Sequence, residues 1–246
     1  MILPFKIRKY FRSIYARLNQ SQYHQWKKRK MRKFYSQFLK AGDLCFDIGA
    51  HEGKYAEVFV GLCGNVVAVE PVDENLLHLK KKFHQNQKVI ILPLAVDYTD
   101  GESKVNVACH TELSTLSSKF VQFHKNRFPE LWTATRVVQL ITLHQLITQF
   151  GVPRFCKIDV EGYESRVLQT LNQPIDFISY EFLYDFREDA IECAGLLNQL
   201  GNASFNYTLF EFFELELSRW IKYDAFVEHI RKLHPTHLTG DIFVKF

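Results

Sequence analysis

The sequence predicts an α/β domain built on a largely parallel sheet with helices on both faces. Short apolar runs alternate with helical patterns from residue 44 to the C-terminus, as strand–helix–strand crossovers do. Two of the runs, Phe46-Asp47-Ile48-Gly49 and Ile158-Asp159-Val160-Glu161-Gly162, end in carboxylates and a glycine, as strand ends do where open α/β sheets bind ligands. No internal repeat or low-complexity tract competes with this reading.

The 246 residues are enough for one sizeable core, and 47% apolar with 24% charged residues is ordinary for a soluble globular chain. The formal net charge of +4 hides an asymmetry. Residues 1–40 hold twelve Lys and Arg and no Asp or Glu, whereas the remainder carries a net −8. We therefore expect a basic amphipathic helical extension over 1–40 and the main domain over 41–246. In the extension Ile7, Tyr10, Phe11, Ile14, Tyr15 and Leu18 share one helical face, and Met31, Phe34, Tyr35, Phe38 and Leu39 form a second stripe. The second stripe runs straight into the first strand and is expected to pack. Residues 1–20 either lie on an anionic membrane surface or acidic partner, or pack as well.

Strands are predicted at 44–48, 65–70, 89–94, 155–159, 177–182, 204–211 and 241–246, with a hairpin-like piece at 104–108. Helices are predicted at 74–83, 143–150, 164–171 and 190–200, the second closed by Gly151 and Pro153. Residues 109–136 are polar and aromatic and are expected to be mobile. The Phe205–Trp220 run is expected to be core strand plus a partly buried loop. Five cysteines, odd in number and without C-x-x-C spacing, argue for a reducing compartment and against a disulfide framework or zinc site. No stretch has the apolar length of a membrane span or a secretory leader, so the expected location is cytoplasmic, with peripheral membrane contact left open through residues 1–20.

The loop after the first strand carries the chemistry. Asp47-Ile48-Gly49-Ala50-His51-Glu52-Gly53 leads into a helical Lys54-Tyr55 start, and the next strand ends in Glu70, placed to receive a ribose diol. A dinucleotide fingerprint would read G-x-G-x-x-G. Here the spacing is Gly49-x-x-x-Gly53, flanked by Asp47 and containing Glu52. Two carboxylates repel a pyrophosphate but suit a ligand that bears a sulfonium and an ammonium, as S-adenosylmethionine does. Around Lys157-Ile158-Asp159-Val160-Glu161-Gly162-Tyr163-Glu164 four charged residues stand at the mouth of a buried strand, hard to explain by packing alone.

These two blocks, with Val69-Glu70-Pro71, Ala95-Val96, Ser114-Thr115-Leu116-Ser117, Ser179-Tyr180-Glu181-Phe182 and Gly240-Asp241-Ile242-Phe243, resemble the FkbM-type methyltransferases in order and spacing from about residue 34 onward. The resemblance implies a class I, Rossmann-like methyltransferase sheet with an antiparallel C-terminal strand, S-adenosylmethionine as cofactor, and a hydroxyl of a sugar or other small molecule as methyl acceptor. It implies that Asp47, Gly49, Ala50, His51, Gly53 and Tyr55 form the methionine side of the cofactor site. Glu70 and Pro71 would serve the ribose, and Ala95 the adenine. Lys157, Asp159 and Glu161 would be catalytic, with Asp159 or Glu161 as the proton acceptor. Two positions depart from the family pattern: His51 replaces an Asn, and Thr142-Leu143-His144 replaces Thr-Leu-Asp.

Simpler roles remain open. His51 could cap the following helix, Glu164 could cap the next one, and His234-Pro235-Thr236-His237 reads as a loop. Asp159 with Glu161 offers oxygens to a divalent cation, but no metal is assigned. Two other functions compete less well. The basic tail suggests a nucleic-acid methyltransferase or binding protein, but the chain has no Asn/Asp-Pro-Pro-aromatic block to seat a flipped base. The missing third glycine and acidic loop disfavour a nicotinamide oxidoreductase.

Overall fold

The computed structural model describes residues 20–234 and 239–246, so the stripe from Ile7 to Leu18, the proposed membrane contact of residues 1–20 and most of the 234–237 loop lie outside it. A central sheet has the order β3-β2-β1-β7-β8-β10-β9. Its parallel part is β3 (Val89–Leu92), β2 (Asn65–Val69), β1 (Leu44–Ile48), β7 (Phe155–Ile158) and β8 (Phe177–Leu183). The C-terminal strand β10 (Thr239–Lys245) inserts antiparallel between β8 and β9 (Ser204–Tyr207).

Helices α1 (Gln20–Tyr35), α2 (Lys54–Val60) and α3 (Asp73–Phe83) lie on one face, over a cluster that includes Cys45, Phe59, Phe155 and Phe243. Helices α5 (Leu143–Phe150), α6 (Glu164–Leu168), α7 (Arg187–Gln199) and α8 (Tyr223–Arg231) cover the other, over Phe46, Ile48, Cys156, Ile158 and Tyr180. The inner strands β1, β2 and β7 are buried on both faces, so they read as continuous apolar runs. Helix α5 shows how local chemistry sets an element: Thr142 and Gln145 form a reciprocal capping box, and Gly151 ends the helix at φ 94°. No helix among the described residues is long and apolar enough to cross a membrane.

The second stripe is core. Met31, Phe34, Tyr35, Phe38 and Leu39 are all buried. The Phe38 ring stacks on Phe243 at 5.5 Å and meets Phe155 at 5.7 Å, and Tyr35 meets Phe59 edge-on at 4.9 Å. The polar side of α1 is tied down too. Lys27 pairs with Glu211, Lys28 with Glu57, and Lys30 with Glu214.

Three expectations differ from the structure. Residues 109–136 are not a loose segment. They contain a 3₁₀ turn (Thr111–Leu113), helix α4 (Ser118–Lys125, capped by the Ser117 hydroxyl) and the start of β6 (Trp132–Ile141). Strand β6 pairs along the whole of β5 (Gly101–Ala108) and carries the short β4 (Ala95–Val96) on its other edge, forming a separate sheet. Only Val138 and Leu140 of β6 are buried, so its sequence is too polar to reveal a strand. Helix α8 was not expected, although Phe226 and Ile230 bury one helical face. Strand β9 stops at Tyr207 rather than residue 211, because Phe210 and Phe213 adopt φ 51° and turn the chain away.

Removing the Phe38 ring should leave a cavity bounded by rings that cannot collapse into it. Phe38→Ala is expected to destabilise the domain by about 3–5 kcal/mol, read from the midpoint of denaturant unfolding.

Candidate active site

The sheet reverses its winding between β1 and β7, whose following helices lie on opposite faces, so a crevice opens above their C-terminal ends. The two loops meet there. Gly49 has φ 80°, and a Cβ on it would stand 1.8 Å from the Asp159 carbonyl oxygen, so only glycine fits. Gly53 answers to a different neighbour: a Cβ there would meet Leu79 at 2.6 Å and Phe83 at 2.7 Å. This glycine seats α3 against the start of α2.

The loop amides are already engaged. Gly49 and Ala50 N–H both donate to the Val69 carbonyl (2.9 and 3.0 Å), His51 N–H donates to Glu70 Oε2 (2.8 Å), and Gly53 N–H donates to the Ala50 carbonyl (2.8 Å). A pyrophosphate would find carboxylates and few donors.

Above the loop lies a cleft of about 540 Å³, its open mouth included. At one end Glu70 is buried. Its Oε1 accepts from the Val72 N–H (2.9 Å) and Asn75 Nδ2 (3.1 Å), and its Oε2 accepts, among the described residues, only from the His51 N–H. That leaves acceptor capacity on Oε2. Burial raises the Glu70 pKa, and the three donors work against the rise. Leu94, Ala95, Val96, Val105 and Leu116 give the cleft an apolar wall, and Asp159 and Val160 close its other end. Residues 111–116 pass over it as a strap, held to the β1 loop by His51 Nε2 against Thr111 Oγ1 at 3.0 Å.

Behind the cleft, on the α1–α3 face, is a buried polar layer centred on Lys157. Its side chain is 1% exposed, donates to Asp159 Oδ2 at 2.7 Å and Asp241 Oδ1 at 3.5 Å, and sits 4.3 Å from the centre of the Tyr55 ring. Burial opposes the ammonium, but Asp159, Asp241 and the tyrosines outweigh it and keep Lys157 charged. Asp47 lies across the strand pair from Lys157. Burial raises its pKa to about 7, with Lys157 pulling it down and Asp159 pushing it up. Asp47 Oδ2, Tyr35 Oη and Ser179 Oγ are buried without partners among the described residues. Carboxylate oxygens of Asp159, Glu161 and Glu181 lie within 4.8 Å of one another. Burial and the crowding of acids raise the pKa values of Glu161 and Glu181 well above normal. Glu164 does not reach the cleft. Its Oε1 accepts the Val160 and Gly162 N–H groups (3.1 and 3.3 Å), and burial lifts its pKa to about 7.

Of the residues singled out from sequence, Gly49, His51, Glu70, Pro71, Ala95 and Asp159 line the cleft. Asp47, Tyr55 and Lys157 lie in the polar layer behind it, Ala50 and Gly53 shape the loop, and Glu161 joins Asp159 on the far side of the turn. His51 does not cap α2, whose N-cap is Gly53. Sequence reasoning assigned no role to the strap, Glu181 or Asp241, although Ser114, Thr115 and Leu116 of the strap and both acids fall in blocks that carry the family resemblance.

A model of the methyltransferase FkbM domain matches residues 47–217, a span that takes in the cleft, the strap and the carboxylate cluster. The chain belongs to the FkbM methyltransferase domain family. Methyltransferase FkbM from Methylobacillus flagellatus KT shares the fold at 11% identity and a TM-score of 0.52, over 82% of this chain and 43% of that one. The chain therefore spans less than half the length of that relative. Two other structures align less well. Precorrin-6y C5,15-methyltransferase from Geobacter metallireducens GS-15 has 10% identity and a TM-score of 0.45, covering 93% of this chain and 89% of that one. Aeropyrum pernix fibrillarin, solved with S-adenosyl-L-methionine, has 8% identity and a TM-score of 0.45, covering 84% and 67%. Comparison with curated proteins finds no match. The methyltransferase sheet, with its antiparallel last strand, is the one expected from the sequence.

The elevated Asp47 pKa has a consequence for stability. The folded protein keeps a proton on Asp47 up to about pH 7, whereas the unfolded chain releases it near the ordinary value of 3.8. Between those limits the folded state binds more protons, so this group's contribution to stability is present below about pH 4 and lost as pH rises through about 7. Asp47→Asn should match wild type near pH 4 and be more stable than wild type near pH 8, as measured by denaturant unfolding at both pH values.

Proposed function

We propose that this FkbM-family methyltransferase uses S-adenosylmethionine to methylate a hydroxyl group of a sugar or another small molecule. The observation that carries the reading is the placement of Asp159. Lys157 engages its Oδ2, no donor among the described residues reaches its Oδ1, and its side chain remains 29% exposed at the end of the cleft away from Glu70. A carboxylate so placed can orient an acceptor hydroxyl and take its proton.

The cleft fits the cofactor on grounds independent of the family. The remaining acceptor capacity of Glu70 suits ribose hydroxyls, the wall from Leu94 to Val96 with Val105 and Leu116 suits a flat adenine, and the engaged loop amides disfavour the pyrophosphate of a nicotinamide dinucleotide. When bound, S-adenosylmethionine supplies an electrophilic methyl group on a sulfonium. The protein's part is to align the acceptor, exclude water beneath the strap, and hold the released proton on a carboxylate. A nucleic-acid acceptor is disfavoured, because the chain has no Asn/Asp-Pro-Pro-aromatic block to seat a flipped base.

Glu70→Ala should weaken S-adenosylmethionine binding by about 1–3 kcal/mol in calorimetry. Unchanged affinity in a folded variant would remove Glu70 from the cofactor site. Screening sugars, other hydroxyl compounds and RNA with methyl-labelled cofactor tests the acceptor class, and label entering RNA alone would overturn it. With an acceptor in hand, Asp159→Asn should lower turnover by about 10²–10⁴-fold while cofactor affinity changes little. Equal losses in both would make Asp159 a binding residue instead.

A further inference from the structure

We infer that Thr115 is a positioning residue for the proposed methyl transfer: its hydroxyl pins the turn that brings Asp159, Glu161 and Glu181 together. The role of those carboxylates in transfer rests on the function proposed above. The pinning itself does not.

The turn is one that a chain adopts only under constraint. Glu161 has φ 55° and Gly162 has φ 82°, two consecutive residues in the left-handed region, and the first carries a side chain that disfavours it. Without this reversal the chain would run on from β7, and Glu161 would not return to Asp159 and Glu181. Two groups hold the reversal from opposite sides. Glu164 accepts the N–H groups of Val160 and Gly162. Thr115 Oγ1 supplies the complementary contact, sharing its one proton between the carbonyls of Val160 (3.2 Å) and Glu161 (2.9 Å).

Thr115 is itself fixed. It is 2% exposed, and its main chain exchanges hydrogen bonds with Asn106 in β5 (3.0 and 2.8 Å). Its oxygen also accepts the Ser117 N–H at 2.8 Å, which orients the hydroxyl proton toward the turn. The same residue lines the cleft, as part of the strap. The second sheet thus reaches across the cofactor cleft and sets the geometry of the acids beyond it through one hydroxyl group. Helix α4 adds a steric limit, since a side chain at Gly162 would meet Phe120 Cδ2 at 3.0 Å.

The test reads the carboxylate cluster and needs neither cofactor nor acceptor. In full-length protein labelled with ¹³C at glutamate and aspartate carboxyls, the titration of Glu161 and Glu181 is followed by NMR in wild type, Thr115→Val and Thr115→Ser. The groups facing Glu161 are Asp159, Glu164, Glu112, Glu181 and Lys157. Valine keeps the shape and removes the donor, so Glu161 should leave the cluster and its titration should fall back toward the ordinary glutamate range. Serine keeps the donor and should keep the raised titration. If Thr115→Val does not fold, Thr115→Cys, with its weaker donor, should give an intermediate titration. A Glu161 titration as high as in wild type in the folded valine or cysteine variant, or one lost in the serine variant, overturns the assignment. Failure of wild type to bind S-adenosylhomocysteine would instead overturn the proposed function and leave the role of Thr115 in the turn standing.

Discussion

The buried ammonium of Lys157 organises this site. A lone charge removed from water is prohibitively costly, so a lysine that is 1% exposed must be surrounded by compensating groups. Asp159 and Asp241 supply the carboxylates, the face of Tyr55 lies against the ammonium, and Tyr35 stands nearby. Those partners come from β7, β10, α2 and α1, which are distant in the chain. The ion pair therefore ties the end of the central strand to the antiparallel C-terminal strand and to the N-terminal helix. It also holds one oxygen of Asp159 and leaves the other without a donor among the described residues.

Around that charge the acids outnumber the bases, and the fold relieves the imbalance through protons. Asp47, Glu161, Glu164, Glu181 and Asp241 all have raised pKa values, with burial the largest cause in each. Glu161 and Glu181 stand close to each other and to Asp159, so these acids favour one another's protonated forms. The unpartnered polar atoms of Tyr35, Asp47 and Ser179 face the same layer, and buried polar atoms of this kind are the usual seats of ordered water.

Much of the fold was legible because inner parallel strands must be apolar throughout and their crossovers must be helical. Strand β1, helix α5 and the burial of Met31, Phe34, Tyr35, Phe38 and Leu39 can be read from pattern alone. Strand β6 could not, because a strand in a small, half-exposed sheet needs only Val138 and Leu140 on its inner face and can spend the rest on Thr, Arg and Gln. The loop glycines were legible as necessary, and the structure gives each a packing neighbour. Gly49 makes room for the Asp159 carbonyl and Gly53 for Leu79 and Phe83, so both serve protein packing before any ligand.

By itself the sequence determined which residue types stand at the ends of β1, β2 and β7, since strand ends are read from local periodicity, and those ends hold Gly49, Glu70 and Asp159. Only the tertiary structure decided which of the neighbouring charged residues face the cleft and which lie behind it. Successive residues of a strand point to opposite faces, and a connecting turn can redirect the residues beyond it. Hence Asp47 and Lys157 are buried beneath the α1–α3 face, while Asp159 reaches the cleft and Glu161 is swung back beside Glu181 by a turn that Thr115, forty-six residues earlier, holds in place. That contact depends on a sheet that forms through β5–β6 pairing, and no local pattern encodes a hydrogen bond between segments so far apart in the chain.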